Sequence, residues 1–197
     1  MKFRSATSSQ VTWFPKPGPG RTASTAELAA GRAGELGINH FVVASNTGST
    51  ALKLARTVPK DACVVAVTHH VGFRGPGEHE LTRSARTRLD KAGIKVLTTT
   101  HLFAGVERAA RMRFGGLGPA ETIAWTYRTF GEGTKVAVEV SIMALDAGLV
   151  PHGEDIIAVG GTGKGADTAL VVRPAHSRQF FDTVVREIIC KPRTRGK

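Results

Sequence analysis

Three short apolar runs, each closing on small polar residues, limit the architecture of this chain more than any other feature. INHFVVAS (38–45), ACVVAVTHH (62–70) and IKVLTTTH (94–101) are continuous in Val, Ile, Phe and Ala, as strands buried on both faces are. Helical stretches separate them. STALKLAR (49–56) is followed by Pro59, and ELTRSARTRLDKAG (80–93) spaces Leu81, Ala85 and Leu89 four apart, with Gly93 as its stop. Ahead of the first strand, STAELAAGRAGELG (24–37) reads as an Ala-rich helix with Ser24 or Thr25 as N-cap and Gly37 at its end. The order α-β-α-β-α-β predicts an α/β fold of three layers, α/β/α, around a mostly parallel sheet. Ligands of such open sheets bind beyond the carboxyl ends of the strands. The polar clusters of this sequence fall at those ends.

The rest of the chain is less regular. TWFPKPGPG (12–20), with three prolines and two glycines, reads as a loop within an N-terminal arm spanning 1–20. Residues 103–113 read as a short basic helix, and PAETIAWTYRTF (119–130) as a helix with Pro119 in its first turn. KVAVEVSIMALDAG (135–148) is ambiguous, because it begins by alternating like a strand while Val138, Ile142 and Leu145 are spaced as in a helix. EDIIAVGGTGKGADTALVVRPA (154–175) gives strand, glycine-rich loop, strand. FFDTVVREIICKP (180–192) fits a helix or an edge strand, and 191–197 is a basic tail. At 197 residues the whole, 1–197, suits a single domain.

The formal charge of +11 favours anionic partners, but the basic residues are dispersed. With neither an RNA-recognition signature nor zinc-finger spacing, nucleic acid is not an expected partner. No segment reaches the roughly 18 apolar residues of a membrane span. Met1 to Gly20 lacks the apolar core of a secretory signal. The only two cysteines, Cys63 and Cys190, lie in apolar stretches and read as reduced thiols. A cytoplasmic protein is expected. The oligomeric state stays open, a homo-oligomer included.

Two loops carry the binding chemistry. The first is Ser45, Asn46, Thr47, Gly48, Ser49 and Thr50, between a strand and a helix N-terminus. Unpaired amides and the positive end of the helix dipole, with a glycine for close approach and hydroxyls for further donors, suit an anion such as phosphate. A capped turn without ligand has the same spacing. The second loop, GGTGKGADT (160–168), is no Walker A motif, since Gly165 stands where Ser or Thr holds magnesium. It reads as a mobile hairpin loop or as a flexible clamp, in which Lys164 supplies charge and Asp167 accepts from a ligand hydroxyl or N–H. His69 and His70, adjacent on a strand, point to opposite faces and do not suit one metal ion, so no metal is expected. Either can be a ligand contact. Glu139 sits in an apolar run without an evident partner, and nothing yields a catalytic triad.

FVVASNTGSTALKLARTVPKDACVVAVTHH and KVAVEVSIMALDAGLVPHGEDIIAVGGTGKGADTALVVRP together resemble the C-terminal α/β domain of pyruvate kinase. There the two loops meet one ligand, a sugar-phosphate effector, and the segment matching 135–148 is a helix. VVAS, THH followed by GF, RFGG, MALDAGL and GGT followed by GADTALV resemble stand-alone pyruvate kinase α/β domain-like proteins, whose members look like binders of flavin mononucleotide (FMN). The resemblance implies FMN phosphate at Ser45, Thr47, Gly48, Ser49 and Thr50. It lines the rest of the pocket with Thr68, His69, His70, Gly72 and Phe73, and with Gly161, Thr162, Gly163, Gly165, Ala166, Asp167 and Thr168. The kinase barrel is missing, so no pyruvate kinase activity is expected. The 45–50 loop also lacks the basic side chain of many effector loops, leaving Lys53 or Lys164 as nearby charge. The alternatives are a flavin-dependent oxidoreductase, with a His or Glu139 near the ring, and a regulatory module sensing a sugar phosphate.

Overall fold

The computed structural model describes residues 8–194. The ends of the arm and of the basic tail, 1–7 and 195–197, lie outside them. The elements follow as β1 (Thr12–Phe14), α1 (Thr22–Leu36), β2 (His40–Ala44), α2 (Ser49–Leu54), β3 (Cys63–Thr68), α3 (Arg83–Lys91) and β4 (Lys95–Thr98). Then come α4 (Val106–Phe114), α5 (Pro119–Arg128), α6 (Glu132–Asp146), β5 (Ile156–Gly160), β6 (Thr168–Arg173) and β7 (Val184–Pro192). Seven strands form one sheet in the order β1-β7-β6-β5-β2-β3-β4. Only β6 runs antiparallel to its neighbours.

Side-chain alternation in the buried strands feeds two cores. Phe41, Val43, Ala66, Val159 and Val171 face α1, α2 and α3, while Val42, Val65, Val67 and Ile156 face α6. Ala158, Leu170 and Val172 meet Ala137, Val138 and Ile142 farther along α6. The ambiguous segment is thus a helix, and one buried over most of its surface, which is why its apolar pattern runs past a single face.

Three readings from sequence are corrected. TWFPKPGPG does not begin as a loop: Thr12–Phe14 pairs in parallel with Cys190–Pro192, and Arg193 N–H donates to Phe14 O at 2.8 Å. Phe14 enters the core beside Ile189 and Cys190. The prolines follow the strand, which lies at the sheet margin where they interrupt no ladder. With that margin occupied, 184–192 is an internal strand, neither helix nor edge. Finally, α1 starts at Thr22 after a short 3₁₀ turn, so Ser24 and Thr25 lie within the helix. Gly37 ends it as expected, at φ +68°. Burial pushes the Cys190 thiol up to about 11, and both cysteines are free.

The sheet and α6 meet backbone to backbone. A Cβ placed on Gly160 would lie 2.2 Å from Gly133 O and 2.9 Å from Ala137 N. Gly160→Ala is therefore expected to cost about 1–3 kcal/mol or more, through strain that the helix cannot relieve. Gly34→Ala, on the exposed face of α1 with open space around it, is expected to gain about 0.4–1 kcal/mol. Urea midpoints of the two variants check this, and an unchanged midpoint for the first contradicts it.

Candidate functional site at the carboxyl ends of the strands

The chain runs outward from β2 to β3 and β4, then returns to place β5 on the other side of β2. The α2 and α3 crossovers lie on one face, and the long return through α6 lies on the other. The loop after β2 enters α2 and the loop after β5 turns back into antiparallel β6, both at the carboxyl ends of adjacent strands. Register aligns the ends: Ala44 pairs with Val67, Val43 with Val159, and Thr68 with Thr98. The segments after Ala44, Thr68, Thr98 and Gly160 therefore emerge together.

Side chains lock these segments to one another. Asn46 Oδ1 accepts from His69 N–H at 2.9 Å, and its amide nitrogen lies 3.1 Å from His69 Nε2. On the far side of the ring, His69 Nδ1 is 2.5 Å from Glu80 Oε2. With Asn46 donating to Nε2, the ring carries its proton on Nδ1 and gives it to Glu80. Burial disfavours the charge of Glu80, but the hydrogen bonds from His69 and Arg74 hold its carboxyl below the usual range. The β3 strand ends at Thr68, so strand alternation does not extend to the histidines. Both turn around Phe73: His69 stacks on it at 3.6 Å between centroids, and His70 meets it edge-on at 5.5 Å. Thr68 is buried, with its hydroxyl 2.7 Å from that of Thr98. Gly72 turns the loop at φ +86°, its N–H on Glu78 O.

At the start of α2, Gly48 adopts φ +81°, and Leu89 Cδ1 would sit 3.0 Å from any Cβ there. Ser45 is buried and its Oγ accepts from Ala51 N–H at 3.2 Å, while Leu52 N–H takes Gly48 O. Among the described residues, the amides of Thr47, Ser49 and Thr50 have no acceptor. Thr47 and Ser49 line a cleft of about 440 Å³ together with Lys53, Arg56, Glu80 and Arg88. The cationic side chains that the loop lacks come from α2, the turn after it and α3. A larger groove of about 740 Å³ lies at the sheet margin between α1 and β1. There Arg32 is held by Glu187 and Glu35.

The glycine-rich loop is less of a clamp than its composition suggests. Asp167 is fully buried and its carboxylate is turned inward. It accepts from Gly18 N–H at 3.1 Å, Thr162 N–H at 3.2 Å and the Thr168 hydroxyl at 2.9 Å. Ala166 is buried and donates its N–H to Thr22 Oγ1, and Gly165 packs on Thr22 and Pro19. Thr168 is buried also. Asp167, Ala166, Gly165 and Thr168 thus tie the hairpin to the start of α1. The exposed tip is Gly163 and Lys164, with Gly161 and Thr162 half-buried behind it.

A second polar group lies under the strand ends. Glu139 is 1% exposed; it accepts from Phe103 N–H at 2.9 Å and pairs with Lys135 Nζ at 2.5 Å. His101 Nδ1 stands 3.9 Å from Glu139, and its ring lies 5.4 Å from that of His69. Lys135 is buried as well, a partner not identified from sequence although its spacing of four from Glu139 on a helix was readable. Burial, opposed in part by Glu139, lowers the ammonium of Lys135. The imidazole of His101 is lowered for the same reason, again opposed by Glu139.

A family model described as pyruvate kinase, alpha/beta domain, matches residues 23–172. The chain belongs to this family. Among solved structures, a Cryptosporidium parvum pyruvate kinase aligns at 18% identity and a TM-score of 0.43, covering 81% of this chain and 23% of that one. Two further structures of pyruvate kinase from that organism, one in complex with ADP, align at 17% and 18% with TM-scores of 0.40 and 0.39. This pyruvate kinase α/β domain spans about a quarter of the length of those chains. The matched region runs from α1 into β6, so β1 and β7 lie outside it. Among the described residues, no helix is long and apolar enough to cross a membrane.

The depressed imidazole sets a pH dependence. His101 binds its proton more weakly folded than unfolded, so its contribution is fully present above about pH 6.5 and is lost as pH falls from there toward its lowered value. Denaturant unfolding of the native chain should show stability dropping across that window, and His101→Gln should remove this part of the drop. Identical profiles for the two proteins would contradict it.

Proposed function

We propose that this pyruvate kinase α/β domain binds a phosphorylated ligand at the carboxyl ends of β2, β3 and β5, and that the ligand is FMN. The observation that carries this reading is the set of free amides at Thr47, Ser49 and Thr50, beside a cleft bearing Lys53, Arg56 and Arg88. Main-chain N–H groups and cations together are the chemistry of phosphate binding. Glu80 borders that cleft and also orients His69, so the polar end runs into the cluster of His69, His70 and Phe73. A flat conjugated ring needs such a stacking surface. The residues present fit a flavin phosphate in both respects.

In this reading, the Thr47, Ser49 and Thr50 amides and the Thr47 and Ser49 hydroxyls hold the phosphate, Lys53 neutralises it, and Phe73 and the histidines flank the ring. Bound flavin supplies redox chemistry. Asn46 fixes the orientation of His69, and the Gly163–Lys164 tip covers the open side. A sugar-phosphate sensor is the second reading, favoured by the gathering of Lys53, Arg56 and Arg88 in one cleft, enough charge for two phosphates.

Thermal unfolding with FMN, riboflavin and a sugar bisphosphate separates these readings. FMN at 100-fold excess over its dissociation constant should add about 2.7 kcal/mol. Riboflavin, without the phosphate, should add far less, and Lys53→Ala should weaken FMN binding. Stabilisation by the bisphosphate alone would favour the sensor. No response to any phosphorylated compound would overturn the site.

A further inference from the structure

We propose that a proton on His69 unlocks the loop between β2 and α2, so that protonation of this ring and binding of an anion at the Thr47, Ser49 and Thr50 amides oppose one another. The inference rests on the ligand reading above and adds the regulation of that site. Asn46 makes two bonds to a single residue. Its Oδ1 accepts from the His69 main-chain N–H at 2.9 Å. A main-chain N–H only donates, so the Asn46 amide has one orientation, with Nδ2 toward the ring. Nδ2 stands 3.1 Å from His69 Nε2 and can only donate as well. Nε2 therefore accepts and carries no proton.

The proton of the neutral ring is on Nδ1, facing Glu80 Oε2 at 2.5 Å. A second proton has only Nε2 to occupy, where it meets the hydrogens of Asn46 Nδ2. Turning the amide over moves the conflict to the His69 N–H. With the ring charged, Asn46 loses one of its two bonds whichever way it turns. The ring stays where it is, since Phe73 stacks on it at 3.6 Å and its bond to Glu80 strengthens with charge. Asn46 yields instead. Among the described residues its side chain has no other partner, and it adjoins Thr47, the first free amide of the loop.

Imidazole is the side chain that ordinarily changes charge between pH 5 and 8. Glu80 favours the charged ring, tempered by Arg74 at 3.3 Å from its other oxygen. His70 meets the same Phe73 edge-on, and Arg108 of α4 lies 6.0 Å from the Phe73 ring. From the end of β4, the His101 ring stands 5.4 Å away, backed by Glu139 and Lys135 of α6. Lys53, Arg56 and Arg88 share the cleft with Glu80. The added charge is neutralised at Nδ1 by Glu80, so loss of the Asn46 anchor, not attraction to the ring, sets the sign.

Nuclear magnetic resonance of the unliganded full chain from pH 8 to 5 tests the lock without any ligand. The His69 ring, the Asn46 side-chain amide and the Thr47 N–H should titrate with one midpoint, and His101→Gln should leave that agreement in place. Asn46→Asp, which puts an acceptor opposite Nε2, should raise the His69 midpoint by about 1 pH unit or more. An Asn46 amide that does not move while His69 titrates overturns the proposal, as does an Asn46→Asp midpoint equal to the native one. FMN affinity at pH 7.5 and 5.5 tests the coupling. The phosphate itself gains a proton near pH ~6, which weakens binding to native protein and to His69→Gln alike. The native dissociation constant should rise with acid by ~5-fold or more beyond the rise in His69→Gln, and saturating FMN should lower the His69 midpoint. Equal rises in the two proteins overturn the coupling. Shared midpoints without FMN binding at either pH would instead bring down the ligand reading and keep the lock.

Discussion

Parallel pairing of β2 with both β3 and β5 is the constraint on which the rest of this molecule depends. Each ladder is short, but their registers bring four strand ends to one margin of the sheet. The loop leaving β2 enters α2, whereas the loop leaving β5 turns back as a hairpin into antiparallel β6, so the two loops emerge side by side from paired strands. The contact of Gly160 with Gly133 sets how closely α6 approaches that margin, and hence where Lys135 and Glu139 lie beneath it. A side chain at either glycine would lift the helix and the buried ion pair with it.

Charge is handled in two ways at this margin. Above, in the cleft, Lys53, Arg56 and Arg88 remain available to solvent and to an anion, alongside amides that no intramolecular acceptor uses. Below, Lys135 and Glu139 are withdrawn from water, Glu139 accepting from Lys135 and from the Phe103 amide, with half-buried His101 3.9 Å from it. Burial of an ion pair costs desolvation that its own attraction only partly repays. Keeping one here holds the β4–α4 connection against α6. The His69–Glu80–Asn46 chain joins the two levels, since His69 is within 5.4 Å of the His101 ring while Glu80 borders the cleft.

Much of this was legible in the sequence, for reasons particular to each element. The buried strands announce themselves because both of their faces are covered, which leaves apolar runs with polar ends. Gly37 was readable as a helix stop because few other residues adopt φ +68° without strain. Three things were hidden. The proline-rich composition after Phe14 masked a three-residue strand whose partner, Cys190–Pro192, lies at the other end of the chain. Asp167 beside four glycines looked like a ligand group, yet it serves Gly18, Thr162 and Thr168, a tertiary bond that spacing cannot reveal. Lys135 went unnoticed because burial of a lysine is uncommon, and only its helical spacing from Glu139 hinted at the pair.

The proposed ligand site requires an anion held by main-chain donors where β2 turns into α2. Amide chemical shifts of ¹⁵N-labelled protein during a titration with FMN test it most directly. The prediction is saturable shifts, largest at Thr47, Gly48, Ser49 and Thr50 and next largest at the Gly163–Lys164 tip. Saturable shifts confined to the groove between α1 and β1, with the Thr47–Thr50 amides unmoved, would contradict it.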